Sequence, residues 1–363
     1  MHIYVEDWQV EYGRPNLVAD DDDAPEGSAT LVEDGDRLAR HQGRPPAPER
    51  VSLACVDGVR RAEALLISPN AAGEQTHGMA GALAYGSVLI EGEQRPVFGP
   101  CAVERLTIWG SSRTDAALPE GPGGWRWTSM SVDSTEIHAP LRALENEMII
   151  GERKLATTLA ETYRITLVDG TLLPMPDRPV PVVGYVKTHH RRLLDVPQHR
   201  DVPQMGVGWR TSLFRVGKER LSTYVRIAAP SSMGSPWAGI IRIEMFQALG
   251  IQRAAAIADE VAGLLPRFAG VAHRDPRAPQ NLQPVGALEN HLRRMMGLPG
   301  LATRAARDAV ARLATAATSA AVSGAVSGAA AAVSGAAAVS GAAAVSGAAV
   351  VPGAAAAQGR IAS

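Results

Sequence analysis

Apolar residues recur along this chain in two rhythms, one of alternation and one of helical spacing, and the switch between them sets out an order of elements. Alternating or continuous apolar runs predict strands at Val51 to Val56, Ala62 to Ile67, Leu83 to Ile90 and Val103 to Trp109. The first two read as a hairpin closed at Asp57-Gly58, since Asp and Gly both tolerate the positive φ of a tight turn. Helical spacing then takes over from His138 to Thr162, where Leu141, Leu144, Met148, Ile149, Leu155 and Leu159 form one stripe. A strand at Ile165 to Val168 follows, with further strands expected at Val182 to Lys187, Ser222 to Ala228 and Ala238 to Glu244. Helices are expected at Ile251 to Leu264 and Pro284 to Met296. Mixed strands and helices of these lengths predict an α/β fold, a mixed sheet flanked by helices.

Both ends fall outside this rhythm. Residues 1 to 50 carry the run Asp20 to Asp23 and the Pro-rich stretch Arg44-Pro45-Pro46-Ala47-Pro48, and they read as a loosely ordered acidic extension with a first strand at Ile3 to Val10. The four aspartates read as a solvated charge run. From 298 to 363 the chain becomes a low-complexity tail in which Val-Ser-Gly recurs at Val322, Val326, Val333, Val339 and Val345. Its near absence of bulky residues leaves little apolar area to offset ordering entropy, so a flexible tail is expected from about Leu301. The central domain is therefore expected at 51 to 297, large enough for one buried core.

Charge is unevenly divided. The chain has 36 Lys and Arg against 37 Asp and Glu, but the first 50 residues alone hold 5 basic and 12 acidic ones, which leaves a net +6 for the rest. A mildly basic body permits contact with phosphates without requiring it. The two cysteines, Cys55 and Cys101, lie in apolar surroundings with no metal-binding spacing, as in a reducing cytoplasm. No signal peptide or membrane anchor is expected.

Within the apolar frame, the sequence Val-Asp-Gly occurs twice, at Val56-Asp57-Gly58 and Val168-Asp169-Gly170. Two carboxylates at strand ends suit a hard divalent ion such as Mg²⁺ or Mn²⁺ if the strands are neighbours, whereas each Asp-Gly alone suits a turn. On the long helix, at about 100° per residue, Glu145 and Glu152 fall inside the apolar stripe while Glu147, Lys154 and Glu161 fall opposite. A carboxylate on a buried face needs a partner, either a metal ion or an arginine. Lys187 closes an apolar strand, where it reads equally as a phosphate contact or as a salt bridge. The run His189-His190-Arg191-Arg192 reads as a backbone grip or as a solvated loop. Trp109, Trp125, Trp127 and Trp209 suit packing better than base stacking.

Five blocks in order, Ala54-Cys55-Val56-Asp57-Gly58-Val59-Arg60, Gly151-Glu152-Arg153, Ile165 to Leu173, Val183-Gly184-Tyr185-Val186-Lys187 and Gly270-Val271-Ala272-His273, resemble the NurA family of DNA-end-processing nucleases. The resemblance spans about Arg50 to Gly297. It implies an RNase H-like fold in which Asp57, Glu152 and Asp169 are metal ligands and His273 also belongs to the site, binding Mn²⁺ or, in its place, Mg²⁺. A tyrosine that the family carries shortly before the histidine is Leu265 here. The implied activity is 5′ to 3′ exonuclease and single-strand endonuclease action in double-strand break end resection. The implied assembly is a homodimer docked on a HerA-type hexameric ATPase. Lys187, Arg60, Arg191 and Arg192 are then the candidate contacts to DNA. With no GxxxxGK[ST] loop in the chain, ATP-driven translocation has to come from a partner. The competing expectation is a non-catalytic DNA- or ATPase-binding adaptor of the same fold. A glycosidase fits less well, because its paired carboxylates need no strand-end metal geometry.

Overall fold

The computed structural model describes residues 27–69, 75–112, 117–172, 180–189, 191–232, 234–316 and 319. The chain divides into two units, Met1–Val310 and Ala311–Ser363. In the first unit the strands are β1 (Thr30–Leu31), β2 (Arg40–Gln42), β3 (Ser52–Pro69), β4 (Gln75–Glu91), β5 (Val97–Trp109) and β6 (Thr128–Ser131), followed by helix α1 (Ala139–Leu159). Then come β7 (Ile165–Asp169), β8 (Val182–Val186), α2 (Val196–Asp201), β9 (Trp209–Thr211), β10 (Phe214–Val216), β11 (Arg220–Arg226), β12 (Ile240–Phe246), α3 (Ile251–Leu264) and α4 (Gln283–Met295). The strands make one sheet in the order β1-β10-β11-β12-β8-β7-β3-β4-β5-β6, with β2 and β9 branching from β11. The fold is mixed α/β: β3, β7 and β8 run parallel, and β4 lies antiparallel to β3 and to β5.

The strands that carry the two Asp-Gly sequences are adjacent, with Val56 opposite Val168. The hairpin expected at Asp57-Gly58 does not form. β3 passes straight through it for 18 residues, and Asp57 pairs with Gly86 and Gly58 with Tyr85 on β4. Pairing with β4 through this stretch, and with β7 up to Val56, outweighs the turn preference of two residues. The chain reverses between Pro69 and Gln75 instead. β4 is also twice as long as expected, because its Gly- and Ala-rich first half (Gly78, Ala80, Gly81, Ala82) lacks the residues that advertise a strand.

Two cores lie on opposite faces of the sheet. Leu53, Cys55 and Val59 of β3 face α3 and α4 with Ile165, Leu167, Val261, Leu288 and Leu292, while Ala54 and Val56 face α1 through Ala156 and Leu159. This alternation decides from which side each side chain reaches the Asp57 level.

Both terminal expectations change. Residues 27–50 are tied into the sheet: β1 pairs with β10, β2 pairs with β9, and Arg210 holds Glu33 through a two-pronged pair at 2.7 and 2.8 Å. The acidic run Asp20 to Asp23 and the strand expected at Ile3 to Val10 lie outside the described residues. After α4, residues 299–310 are helical; Ala302 is buried, and Ala305, Ala306 and Ala309 are buried with Trp109, Trp127, Leu66 and Leu118. The expected tail therefore starts with a helix whose methyl groups let it lie close to two indole rings, which an alanine count alone does not reveal. In the second unit, 311–316 are helical, and the Val-Ser-Gly repeats lie outside the described residues. Among the described residues, no helix is long and apolar enough to cross a membrane.

A candidate acidic metal centre

Asp57 reaches the centre from the α4 face of β3, where it is 5% exposed. One of its oxygens, Oδ1, accepts the Gly58 amide at 2.9 Å, while Oδ2 is buried with no hydrogen-bond partner. Asp169 stands at the end of β7, where Gly170 at φ +88° turns the chain away, and its side chain is 30% exposed. Glu152 comes from α1 and is 6% exposed. Its carboxylate rests on the backbone of β3 at Gly58: a Cβ built at that position would lie 2.3 Å from Glu152 Oε1. The glycines of the two Asp-Gly pairs thus do different work, Gly170 supplying a left-handed turn and Gly58 the space for a carboxylate.

The charges feel one another. Burial pushes the Asp57 carboxyl well above the usual carboxylate range, and the Asp169 charge adds to it. Burial likewise pushes Glu152 up to about 8, with Asp169 again the next cause. Cys55, one turn of the strand from Asp57 on the same face, is pushed up to about 12 by burial and then by Asp57. Buried carboxyls raised in this way are stabilised by a proton or by a bound cation.

The opposing charge comes from Lys187. Its Nζ donates to Asp169 Oδ2 at 2.7 Å and to Asn281 Oδ1 at 2.8 Å, and its side chain is 9% exposed. Burial disfavours the ammonium, but Asp169, Asp57 and Glu289 together raise its pKa above the ordinary value. Of the two readings its position allowed, the salt bridge is the one formed.

Behind Lys187 stands a network that the sequence reading missed. Asn281, 1% exposed, donates Nδ2 to Asp275 Oδ2 at 2.6 Å. Arg277 spans Asp275 and Glu289, meeting the latter through two bonds of 2.7 and 2.6 Å. Burial works to raise the Glu289 carboxyl, but the Arg277 hydrogen bonds, Lys187 and Arg293 hold it below its ordinary value. A signal for Glu289 was present: like Glu152, it falls within the apolar stripe of its helix, beside Val285, Leu288 and Leu292. No comparable pattern points to Asn281, which lies in the loop before α4.

No protein-family model matches the chain, and no curated protein matches it. One similar solved structure is the NurA nuclease from Sulfolobus solfataricus, at 10% identity and a TM-score of 0.35, over 73% of this chain and 81% of that one. That likeness is too loose to decide function, which rests on the side chains.

The remaining expected site residues are placed as follows. Asp57 and Glu152 are both buried, and the partly exposed Asp169 carboxylate adds to the rise of each. His273 is exposed on the turn at 272–274 and has no hydrogen bond or ion pair with these carboxylates. The C-terminal segment instead contributes Asn281 and Glu289. Arg60 pairs with Glu145 at 3.2 Å, which supplies the partner that this buried-face carboxylate needed and occupies an expected DNA contact. Arg191 is exposed, and Arg192 donates to the Leu194 carbonyl at 2.9 Å. His190 lies outside the described residues. Leu265 is fully buried in the main core. Trp109 and Trp127 are buried against the helical residues 299–310, Trp209 packs beside Phe214, and the Arg105 guanidinium lies 4.2 Å over the Trp125 ring.

Among the described residues, the group of three candidate ligands whose ligand atoms all lie within 4.8 Å of one another is a different one, Glu33, Asp34 and His41. Its acceptors are already engaged. Glu33 takes Arg210 and the Leu213 amide, and Asp34 Oδ2 takes Ser212 Oγ at 2.6 Å and His41 Nε2 at 2.8 Å. Against the cost of burial, these bonds hold both carboxyls below their ordinary values. The group works as a clasp that joins the 27–42 segment to β9.

The donor set around Asp57 fits a divalent cation better. It offers carboxylate oxygens alone, of which Asp57 Oδ2 lacks any other partner and Glu152 accepts no hydrogen bond among the described residues.

Proposed function

We propose that this chain is a divalent-metal-dependent nuclease whose centre is Asp57, Glu152 and Asp169. The observation that carries the reading is the buried, unpartnered Asp57 Oδ2, in a setting where burial and the Asp169 charge raise both Asp57 and Glu152. Burying such a carboxyl as the anion costs free energy that a bound cation compensates. When bound, the ion would supply an activated water and relieve negative charge on a phosphodiester. Asp57, Asp169 and Glu152 would hold it, with Mn²⁺ the proposed ion and Mg²⁺ its substitute. Gly58 keeps the Glu152 carboxylate against β3, and Asn281 keeps Lys187 against Asp169. The Lys187 ammonium is the group placed to face a phosphate oxygen once that phosphate approaches Asp169.

The strand order β5-β4-β3-β7-β8, with β3, β7 and β8 parallel, supports an RNase H-like arrangement. The five-block resemblance supports the finer proposals: DNA as substrate, 5′ to 3′ and single-strand cleavage in end resection, a homodimer, and a HerA-type hexameric ATPase as motor. Cysteine usage supports a cytoplasmic setting. Arg191 and Arg192 are the further proposed contacts to DNA, with Arg60 available only if it leaves Glu145.

One observation favours a second reading, an adaptor without catalysis: Lys187 already neutralises Asp169. The two readings part on one experiment. Purified full-length protein incubated with end-labelled linear DNA should shorten it with Mn²⁺ and leave it intact with EDTA. DNA that is bound but never cut, at any divalent ion tested, establishes the adaptor.

A further inference from the structure

The start of β5 carries two apolar residues that the cores do not take in, Val97 at 57% exposed and Phe98 at 46%. Phe98 is nevertheless held in place. Its ring lies on the His291 imidazole of α4, with centroids 4.1 Å apart and planes 9° from parallel. With one face covered by the imidazole, a ring this exposed offers its other face and edge to solvent. Because two elements set its orientation, a planar partner meets a surface already in position, and little freedom is lost in ordering it.

The charge beside the stack has one sign. Between Gln283 and Arg307 the chain holds four exposed arginines, Arg293, Arg294, Arg304 and Arg307, against one acidic residue, Glu289, which is buried. Arg293 is committed to Glu289 at 3.1 Å, and Arg304 faces Asp308 at 4.0 Å. Arg294 sits three positions after His291, on the same side of α4, and its guanidinium has no hydrogen bond or ion pair among the described residues. In the turn before β5, Arg95 is exposed beside the acidic Glu93.

An open aromatic face with an uncommitted arginine beside it matches an unpaired nucleic-acid strand, whose bases stack on rings and whose phosphates meet guanidinium groups. In a duplex the base faces are already stacked, so only the arginines could act on it. We propose that Phe98, seated on His291 and flanked by Arg294, is a stacking platform for single-stranded DNA, separate from the carboxylate centre. That the strand is DNA rests on the nuclease reading above, whereas the platform itself needs no metal ion. Its place suits the role. Phe98 pairs with Val88 and Val88 with Cys55, so the platform lies two strands from β3, a span of about 10 Å. It stands on the α4 side of the sheet, the side from which Asp57 also projects.

The test is binding in EDTA, which takes cleavage out of the measurement. Full-length protein is titrated into fluorescein-labelled oligo-dT and, separately, into a blunt duplex of the same length, with anisotropy as the readout. The wild-type protein should bind the single strand more tightly than the duplex. Phe98→Ala should weaken single-strand binding about tenfold and leave duplex binding within about twofold, while Phe98→Tyr, which keeps a ring, should restore it. Arg294→Gln should weaken binding and lower the slope of log affinity against log salt by about 0.7 on the single strand. Should Phe98→Ala fail to fold by circular dichroism, Arg294→Gln decides, since its side chain has no contact to lose, and an unchanged salt slope then overturns the platform. A folded Phe98→Ala with wild-type affinity, an equal loss on the duplex, or no single-strand binding by the wild-type protein also overturns it and leaves the nuclease reading to its own test with Mn²⁺. Single-strand binding that depends on Phe98, in a protein that cuts DNA with no divalent ion, keeps the platform and overturns the nuclease reading.

Discussion

Replacing Gly58 by alanine puts a methyl group where the Glu152 carboxylate now rests. The added Cβ would meet Glu152 Oε1 at 2.3 Å, Met148 Cγ at 2.7 Å and Met148 Sδ at 3.1 Å. All three atoms belong to long, jointed side chains, so the contact is relieved by swinging them away and not by moving backbone. Overpacking typically costs about 1–3 kcal/mol, and alanine regains about 0.5–1 kcal/mol over glycine within a strand. The net loss should therefore stay below roughly 2.5 kcal/mol, a shift in Tm of several degrees at most. The chemistry has no such tolerance, since displacing a reacting group by about 1 Å can cost about a hundredfold in rate. The assay is Mn²⁺-dependent cleavage of end-labelled linear DNA, run beside a thermal melt of the same preparation. Gly58→Ala should lose about a hundredfold or more in cleavage while its melt stays close to wild type. Cleavage within about twofold of wild type would refute the contact between Gly58 and Glu152 as the device that positions the carboxylate. A collapse in stability would mean that Gly58 serves the backbone instead.

Other outcomes follow from the same geometry. Glu152→Gln should abolish Mn²⁺-dependent cleavage, whereas Glu147→Gln, partly exposed on the other side of α1, should be nearly silent; equal effects would show that the helix presents a different face. Truncation after residue 316 should leave the melt and the cleavage of short DNA unchanged. Truncation after 297 should cost roughly 2 kcal/mol or more, because three alanine methyls leave Trp109 and Trp127, and equal melts for the two truncations would contradict the packing of 305–309. For pH, Glu152 rises from 4.5 to about 8 on folding, so its neutral form is the one the fold prefers. Its contribution is fully present below about pH 4.5 and is lost as pH rises toward about 8, by an order of magnitude of 5 kcal/mol at about 1.4 kcal/mol per pH unit. The melting temperature in EDTA should accordingly fall across that range, Mn²⁺ should restore it, and Glu152→Gln should flatten the fall.

Much of this arrangement was legible from residue order. The α1 and α3 helices follow from apolar spacing, and the adjacency of the Asp57 and Asp169 strands follows from three strands, a helix and a fourth strand. What escaped was set by partners distant in sequence. Asp57-Gly58 looks like a turn because both residues favour one, and only the presence of β4 alongside, with β7 paired up to Val56, makes it mid-strand. Glu145 and Glu152 share one stripe, yet Arg60 claims the first and leaves the second unpaired, a division that no periodicity contains. Asn281 acquires its role from Lys187, 94 positions away, and an asparagine in a loop gives no warning of it. The alanines at 305, 306 and 309 read as featureless until two tryptophans are placed beneath them.

The account stands most directly on where a divalent ion sits. Anomalous diffraction from crystals of the full-length protein soaked in Mn²⁺ should show a peak ligated by Asp57 Oδ2 and Asp169, with Glu152 at its edge and Lys187 still at Asn281. A peak at Glu33, Asp34 and His41 with none at Asp57, or an Asp57 carboxylate left without any cation at saturating Mn²⁺, would contradict it.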